Sequence, residues 1–417
     1  MKIKNITAME IIDSRATPTV MARVILDSGA VGVASVPSGA STGKNEAFEK
    51  RDGNKERFCG FGVLSAVNSV NEIIRPALIG VPASDAREID TIMLALDGSD
   101  KRSNLGANAI LSVSMAVAKA AASAFGVPLY RYLGGSYCAR MPVPMMNILN
   151  GGAHAANNID IQEFMVVPVG SESFGEAVRC GCEIYRALKN IIVRSGNSSG
   201  VGDEGGFAPN LKEDRDALEL IISAIETAGY RPGIDVAIAL DIASSEWYSD
   251  GEYRLKKSGK VMTREQICNY ISNLVGEYPI ISVEDGMAEE DYEGWKMLTD
   301  KLGEKTILVG DDLFVTDTRR IDGGARNKIA NCVLIKPNQI GTLTETAEAI
   351  GCAHFHGYKT VMSHRSGETE DTTISDLAVG LGTHFIKCGA PARGERVSKY
   401  NRLIEIEKEL FSAEYGF

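Results

Sequence analysis

The chain has no segment of the kind that directs a protein into or across a membrane. Its first seven residues contain no apolar core of signal-peptide length, and no uninterrupted apolar run approaches the length of a membrane span. We therefore expect a cytoplasmic protein without a membrane span.

Positive charge and paired cysteines are also scarce. The chain has 44 lysines and arginines against 55 aspartates and glutamates, and its formal net charge of −11 argues against a nucleic-acid partner. The eight cysteines lack C-x-x-C spacing, which is typical of reduced and mostly buried thiols. No low-complexity segment or block of like charge occurs, so the sequence predicts no disordered interaction tail.

Two glycine-rich stretches resemble nucleotide-binding loops but lack the required context. Gly200-Val-Gly-Asp-Glu-Gly205 follows Asn197-Ser-Ser199 instead of the strand that a dinucleotide fingerprint needs. In Gly39-Ala-Ser-Thr-Gly-Lys44 only three residues separate the glycines, and Asn45 stands where an NTPase has serine or threonine. Neither stretch predicts a nucleotide site.

Six short apolar runs between Val236 and Cys388 each end at a charged side chain or a histidine. Those final residues are Asp241, Glu284, Asp311, Lys336, His364 and Lys387. From Glu284 onward they recur at intervals of 27, 25, 28 and 23 residues, each the length of one strand, one crossover helix and two loops. Such runs suit strands of a parallel barrel, whose strand ends converge on one mouth.

Three successive strand ends of this barrel carry carboxylates. Asp241, Glu284 and Asp311 would meet at one point and repel one another strongly, with lysine and histidine facing them across the mouth. A hard divalent cation resolves that repulsion, and all-oxygen ligation with room for water or substrate suits Mg²⁺. The alternative is that these are solvated side chains at strand ends. That alternative explains a single position more easily than five strand ends that recur at regular intervals.

A different pattern precedes the barrel. Residues 3–12 and 18–36 alternate in polarity, as in an antiparallel meander, and helical segments follow over 57–79, 86–97 and 106–126. The last segment is so rich in alanine that it must pack closely against another element. A turn-rich passage then predicts a boundary between an α+β domain over 1–132 and an α/β barrel over 140–417.

Several motifs along the chain, in order, resemble those of the enolase family. They include Val36-Pro-Ser-Gly-Ala-Ser-Thr-Gly43, Met146-Asn-Ile-Leu-Asn-Gly-Gly-Ala-His154, Asp160-Ile-Gln-Glu-Phe-Met165, Val201-Gly-Asp-Glu-Gly-Gly-Phe-Ala-Pro-Asn210, Ser282-Val-Glu-Asp-Gly286, Lys336-Pro-Asn-Gln-Ile-Gly-Thr-Leu343 and Ser363-His-Arg-Ser-Gly-Glu-Thr-Glu-Asp371. The resemblance spans nearly the whole chain. It implies a barrel that begins irregularly as β-β-α-α, and a homodimer or a ring of dimers such as an octamer. It also implies a secondary cell-surface or secreted pool.

The resemblance further implies Mg²⁺-dependent, reversible dehydration of 2-phospho-D-glycerate to phosphoenolpyruvate in glycolysis and gluconeogenesis, with two ions in each site. Asp241, Glu284 and Asp311 would hold the first ion, and Ser41 with the substrate phosphate would hold the second. Lys336 would be the base and must be neutral to act, whereas Glu204 would be the general acid and needs a raised pKa.

The remaining implied roles concern the substrate. Gln162 and Glu163 would position it and support the leaving group, and His154 would contact its phosphate or the departing hydroxyl. His364, Arg365 and Ser366 would bind the phosphate, with Arg365 as a guanidinium fork. Lys387 would hold the substrate carboxylate.

Two other functions remain as alternatives. A divergent acid-sugar dehydratase or lyase of the same superfamily lacks the loop with Ser41 and the phosphate-binding Ser-His-Arg-Ser sequence. A non-catalytic surface-binding paralogue would be expected to lose a metal ligand or an acid-base residue, and none is lost. One family glycine is replaced by Ala16, which predicts a different turn there because alanine disfavours positive φ.

Overall fold

The computed structural model describes residues 1–40 and 43–416. The chain starts with an antiparallel sheet of strands β1 (Ile3–Ile12), β2 (Pro18–Leu26) and β3 (Val31–Ser35), which pair in that order. Their alternating polarity places one face in the core and the other toward solvent. The predicted meander is confirmed.

Within the described residues, five α-helices complete the first domain. They are α1 (Leu64–Asn68), α2 (Arg75–Leu78), α3 (Ala86–Asp97), α4 (Ala107–Phe125) and α5 (Leu129–Gly134). A π-helical segment, Ser69–Ile74, joins the first two. The helix predicted over 57–79 begins late because Phe58 and Cys59 have φ of 48° and 53°, in the left-handed region.

Helix α4 packs directly on the sheet, as its alanine content predicts. A Cβ atom placed on Gly32 of β3 would overlap the backbone of Ala116 and Ala120, so only glycine against small residues allows this approach. The helix is long and apolar enough to cross a membrane, but 78% of that stretch is buried inside the protein. That burial is typical of a core helix.

The second domain contains the remaining strands. In chain order they are β4 (Arg140–Met141), β5 (Val143–Asn150), β6 (Glu163–Val167), β7 (Ala237–Asp241), β8 (Tyr248–Ser249), β9 (Glu252–Arg254), β10 (Val261–Met262), β11 (Ile280–Glu284), β12 (Ile307–Gly310), β13 (Cys332–Ile335), β14 (Lys359–Ser363), β15 (Phe385–Lys387) and β16 (Glu414–Tyr415). Within the described residues, eight of them close into a barrel in the order β11-β12-β13-β14-β15-β5-β6-β7. Strands β8 to β10 form a small separate sheet, and β16 pairs with β4.

Helices surround the barrel. They are α6 (Phe174–Arg194), α7 (Asp214–Thr227), α8 (Arg264–Glu277), α9 (Tyr292–Leu302), α10 (Thr318–Arg326), α11 (Pro337–Ile340), α12 (Leu343–Phe355), α13 (Thr373–Gly380) and α14 (Gly394–Glu409). Strand β6 is antiparallel to both of its neighbours, and α6 and α7 follow it in succession. The predicted α/β fold class and the irregular β-β-α-α start are therefore confirmed.

The barrel interior is filled in layers, because side chains alternate between the two faces of each strand. Its lower part is an apolar cluster, here called the plug: Val143, Met145, Met165, Val167, Ala239, Val309, Cys332, Leu334, Val361 and Phe385. The next inward position on each strand, toward the mouth, is polar. Those positions hold Asn147, Glu163, Asp241, Glu284, Asp311, Lys336, Ser363 and Lys387.

Candidate active site

A cleft of about 600 Å³ opens at the mouth of the barrel. Most of the residues that the sequence predicts for the site line it: His154, Gln162, Glu163, Glu204, Asp241, Asp311, Lys336, His364, Arg365, Ser366 and Lys387. Glu284 lies behind Lys387 and contacts its ammonium group. Ser41 falls outside the described residues.

Register brings three carboxylates to one level of the mouth. Asp241 ends β7 and is paired with Glu163 of β6 on one side and with Glu284 of β11 on the other. The Lys387 Nζ lies among them, 3.0 Å from Asp241 Oδ2, 3.0 Å from Glu284 Oε2 and 3.2 Å from Glu163 Oε2. Gln162 Nε2 donates to Asp241 Oδ2 over 3.4 Å. One buried cation therefore serves several buried anions.

The protonation of this cluster follows from burial and charge. Burial and the nearby Asp241 carboxylate raise the pKa of Glu284 to about 8. Burial alone would lower the pKa of Lys387, but Asp241, Glu163 and Glu284 raise it well above its ordinary value. Lys387 is thus fixed as an ammonium group, since carboxylates surround it.

Lys336 and Asp311 form a second, partly buried ion pair. Gln339 Nε2 donates to Asp311 Oδ1 over 2.8 Å, and the Lys336 amide donates to Thr316 Oγ1 over 2.9 Å, so both ends of the pair are held. Burial opposes the charge on Lys336, yet Asp311 raises the pKa of that lysine above its usual value. The amine that the sequence predicts as a neutral base is therefore charged in this structure.

A pair of carboxyl groups faces Lys336 across the mouth. Both Glu163 and Glu204 lie near His154, whose Nδ1 is 3.5 Å from Glu163 Oε1 and 3.8 Å from Glu204 Oε1. Asn147 Nδ2 donates to Glu204 Oε2 over 3.2 Å. Glu163 is 2% exposed and Glu204 is 3% exposed, so two acidic groups are confined out of water.

The two carboxyl groups have opposite pKa shifts. Burial and the neighbouring Glu204 carboxylate raise the pKa of Glu163 well above its ordinary value. Burial also acts to raise the pKa of Glu204. His364 and His154 more than offset that effect, so the pKa of Glu204 lies well below its ordinary value. A proton on this pair therefore resides on Glu163, and the raised pKa predicted for Glu204 lies with its neighbour.

His364 follows β14 and is a neutral imidazole. Burial lowers its pKa to about 4, with Arg396 adding to the effect against the opposing pull of Glu204. The Nε2 atom of His364 lies 3.4 Å from Glu204 Oε2. At neutral pH the ring is thus uncharged, and its Nε2 faces the Glu204 carboxylate without the charge of an imidazolium.

Arg365 and Ser366 connect the barrel with the glycine-rich segment of the first domain. The guanidinium of Arg365 donates to Glu46 Oε2 over 2.9 Å and to Asn338 Oδ1 over 3.0 Å. The backbone amide of Ala40 donates to Ser366 Oγ over 2.7 Å. The segment that leads to residue 41 therefore starts beside the predicted phosphate-binding residues.

The three predicted ligands of the first Mg²⁺ are split between the two lysines. Asp241 and Glu284 share Lys387, whereas Asp311 pairs with Lys336. All three are buried carboxylates at one mouth, and such hard oxygen donors suit Mg²⁺. The raised pKa of Glu284 also indicates surplus negative charge, which a cation relieves. The donor set fits the ion.

A second group of carboxylates was not predicted. Oxygens of Asp285, Asp311 and Asp312 lie within 4.8 Å of one another. Asp285 accepts the backbone N–H groups of Asp311 and Asp312, over 2.9 and 3.0 Å. Burial and Asp311 raise the pKa of Asp312 to about 8. Asp311 is common to both acidic groups, so the candidate cation site extends along the β12 side of the mouth.

Further polar side chains in or next to the site had no predicted role. They include Glu46, Asp285, Asp312, Gln339 and Arg396. Asp285 and Asp312 each follow a predicted ligand directly, so a doubled acidic residue at a strand end is a usable signal. Glu46 and Arg396 reach the site from a loop and a helix, and no spacing in the sequence connects them with it.

Ala16 adopts a left-handed backbone conformation despite its side chain. Ala16 has φ of 57°, and Asp13 Oδ1 accepts the backbone N–H groups of Arg15 and Thr17 on either side of it. These hydrogen bonds hold the left-handed residue in place at a steric cost of about 1 kcal/mol. The predicted change of turn stays a prediction.

Family models match both parts of the chain. The model described as Enolase, N-terminal domain matches residues 3–133, and the model described as Enolase, C-terminal TIM barrel domain matches residues 138–416. These matches agree with the first domain and with the closed barrel. On these grounds the chain is a member of the enolase family, and we place it among the lyases of the enolase superfamily.

Proposed function

We propose that this protein catalyses the reversible, Mg²⁺-dependent dehydration of 2-phospho-D-glycerate to phosphoenolpyruvate. One observation carries the proposal: a lysine amine and a buried carboxyl pair lie on opposite walls of one cleft. Lys336 follows β13 and Glu163 begins β6, and these strands are four places apart in the ring of eight. That arrangement serves an elimination in which the proton and the hydroxyl leave from opposite faces.

On one wall, Lys336 takes the proton from C2. This proton is weakly acidic because it lies beside a carboxylate, and its removal gives an enediolate with two negative charges on one carboxyl group. The ammonium of Lys336 must first lose a proton, and the ion pair with Asp311 opposes that loss. Relief of that pair on substrate binding is therefore part of the activation of the base.

On the other wall, the Glu163 and Glu204 pair supplies a proton to the departing C3 hydroxyl. Glu163 holds the proton in the free protein because burial and the Glu204 carboxylate beside it raise its pKa. Removing the charge of either residue changes the protonation of the other, so the pair acts as a unit. Proton delivery of this kind contributes about 10²–10⁴ in rate.

The anionic groups of the substrate meet fixed cations. Arg365 offers a planar fork of N–H donors suited to the phosphate. In this structure the fork donates to both carboxylate oxygens of Glu46. Lys387, held as an ammonium by Asp241, Glu163 and Glu284, suits the substrate carboxylate. His154 and Gln162 line the same cleft.

Bound by Asp241, Glu284 and Asp311, Mg²⁺ would supply positive charge to stabilise the enediolate and to relieve the crowded carboxylates. A second ion at Ser41 stays a prediction. The decisive assay mixes purified protein, Mg²⁺ and 2-phosphoglycerate and follows phosphoenolpyruvate by ultraviolet absorbance. We expect turnover that stops when a chelator is added and resumes when Mg²⁺ is restored.

The same assay separates the two alternatives. A divergent superfamily dehydratase would leave 2-phosphoglycerate unchanged and would convert an acid sugar that lacks phosphate. A non-catalytic paralogue would turn over neither substrate. Either result would contradict the proposal, provided that circular dichroism shows the protein to be folded.

A further inference from the structure

Arg396 is a fully buried arginine that the proposed reaction does not use. It lies in the first turn of α14 and is 0% exposed. Its Nη2 donates to the carbonyl oxygens of Asp203 and Ser366, over 3.1 and 2.6 Å. Its Nη1 donates to the carbonyl oxygen of Arg365 over 2.6 Å. Burial of a guanidinium charge costs free energy unless hydrogen bonds compensate for it. The several hydrogen bonds of Arg396 meet that need and fix the position of its side chain.

The same Nη1 also contacts an imidazole. It lies 2.6 Å from Nδ1 of His364. A guanidinium has only donors, so Nδ1 of His364 must accept and cannot carry a proton. The proton of the neutral ring is then on Nε2, which lies 3.4 Å from Glu204 Oε2. Arg396 thereby determines that Nε2, the ring nitrogen near Glu204, carries the proton.

Packing supports the same connection independently. Gly389 has φ of 81°, and a Cβ there would lie 2.7 Å from the Glu204 carbonyl oxygen, 3.0 Å from Arg396 Cδ and 3.2 Å from His364 Cε1. The amide of Ala390 donates to the Glu204 carbonyl oxygen over 2.9 Å. The Glu204 backbone and the side chains of Arg396 and His364 therefore pack against one glycine.

We propose that Arg396 is a positioning residue that holds His364 as the Nε2–H tautomer and keeps a neutral donor, not an imidazolium cation, against Glu204. Its importance for turnover rests on the role proposed above for Glu204. The charged groups that act on the ring are Glu204 of the 202–206 loop, Arg396 of α14 and Glu368. Without Arg396, His364 would gain a second proton more easily and pair with Glu204 as a cation.

The first test needs no activity. Imidazole ¹⁵N shifts of the full-length protein, without substrate, distinguish a protonated ring nitrogen from a bare one. The chain has five histidines, and His364→Gln assigns the relevant signals. We expect Nε2 protonated and Nδ1 bare at pH 7. In Arg396→Met, the pKa of the ring should rise above about 4, and Nδ1 should take up a proton at a higher pH than in the unaltered protein.

The second test is kinetic and uses matched variants. Arg396→Met should lower kcat about 10- to 100-fold with little change in KM, and should shift the acid limb of the pH profile upward. Arg396→Lys, which also has only donors, should restore most of kcat. Arg402→Met is the control, since Arg402 lies on the same helix but pairs with Asp376.

Several outcomes would overturn the inference. They are a proton on Nδ1 in the unaltered protein, or unchanged His364 shifts and ring pKa in Arg396→Met. If that variant does not fold, Arg396→Gln replaces it, because it keeps one N–H donor without the charge. Its ring pKa should rise, and an unchanged pKa would contradict the inference. Normal ¹⁵N results with no turnover by any protein would instead count against the proposed reaction.

Discussion

The mouth and the plug of the barrel are built on the same strands and are equally dry, yet they differ in how they are stabilised. Leu334 of the plug is 0% exposed, and Lys387 and Glu284 of the mouth are each 3% exposed. The plug gains free energy simply by removing apolar surface from water. The mouth holds charges that persist only because each has a partner. Solvent exposure therefore does not separate a catalytic layer from a structural one.

Strand β13 shows the contrast over the shortest distance. Leu334 points into the plug, and Lys336, two residues on, points into the mouth. Because alternate side chains of a strand face the same side, two residues along the chain separate the apolar core from the charged site. The plug thus forms a rigid floor under the charged layer, and changes in the two layers should affect different measurable quantities.

The largest expected effect is in the mouth. Lys336→Ala should abolish both elimination and exchange of the C2 proton with solvent, because both reactions need the base. Loss of turnover should reach about 10⁴-fold. Loss of the C2 proton signal in deuterated buffer, followed by NMR, measures exchange. Ordinary exchange in this variant would rule out Lys336 as the base.

Next in size is a change on the opposite wall of the mouth. Glu204→Gln should lower elimination about 10²–10⁴-fold but leave C2 exchange in place. After burial, the Glu204 charge is the largest cause that raises the pKa of Glu163, so its loss weakens the hold of Glu163 on the proton that the departing hydroxyl needs. One NMR time course measures both rates: loss of the C2 proton signal reports exchange, and the appearance of phosphoenolpyruvate reports elimination. Parallel loss of exchange and elimination would contradict the division of roles between the walls.

A change in the plug should have the reverse signature. Leu334→Ala should reduce the free energy of unfolding by about 2–5 kcal/mol through lost burial and a cavity. We expect kcat to stay within about threefold at temperatures where the variant is folded, because Lys336 keeps its own contacts. Urea denaturation and steady-state kinetics on the same preparation measure both. A large loss of kcat with unchanged stability would remove the distinction between the layers.

The sequence predicted the parts of the site that follow from the regular spacing of strands along the chain. The polar residue after each apolar run, from Glu284 to Lys387, reaches the mouth because strand ends converge in a barrel. The alanine-rich helix was likewise predictable, since small residues along a helix permit close packing.

Other features depend on distances that no local pattern encodes. Which member of the Glu163 and Glu204 pair holds the proton depends on where His364 and His154 lie. Arg396 reaches His364 only because α14 folds back over the mouth. The ion pair of Lys336 with Asp311 is of the same kind, because the sequence shows the two charges but not their contact.

The smallest expected effect lies at the lower end of the barrel. His384 precedes β15, where its Nδ1 accepts the amide of Thr360 over 3.3 Å and its ring packs edge-on against His354. Burial and the nearby charge of Lys359 lower the pKa of His384 to about 4. Unlike the charges of the mouth, this imidazole has cations around it and is stable only when neutral.

A lowered histidine pKa means that the unfolded chain binds the proton more readily than the folded one. The contribution of His384 is therefore fully present above pH 6.5 and is lost as the pH falls from 6.5 to about 4. Because the ring is only half-buried, we expect about 1 kcal/mol from this residue. Urea unfolding at pH 7 and pH 5 should show a smaller acid loss in His384→Gln than in the unaltered protein. His356→Gln is the control, since His356 pairs with Asp322 at the surface. Equal acid losses in His384→Gln and the unaltered protein would place the acid sensitivity in the mouth instead.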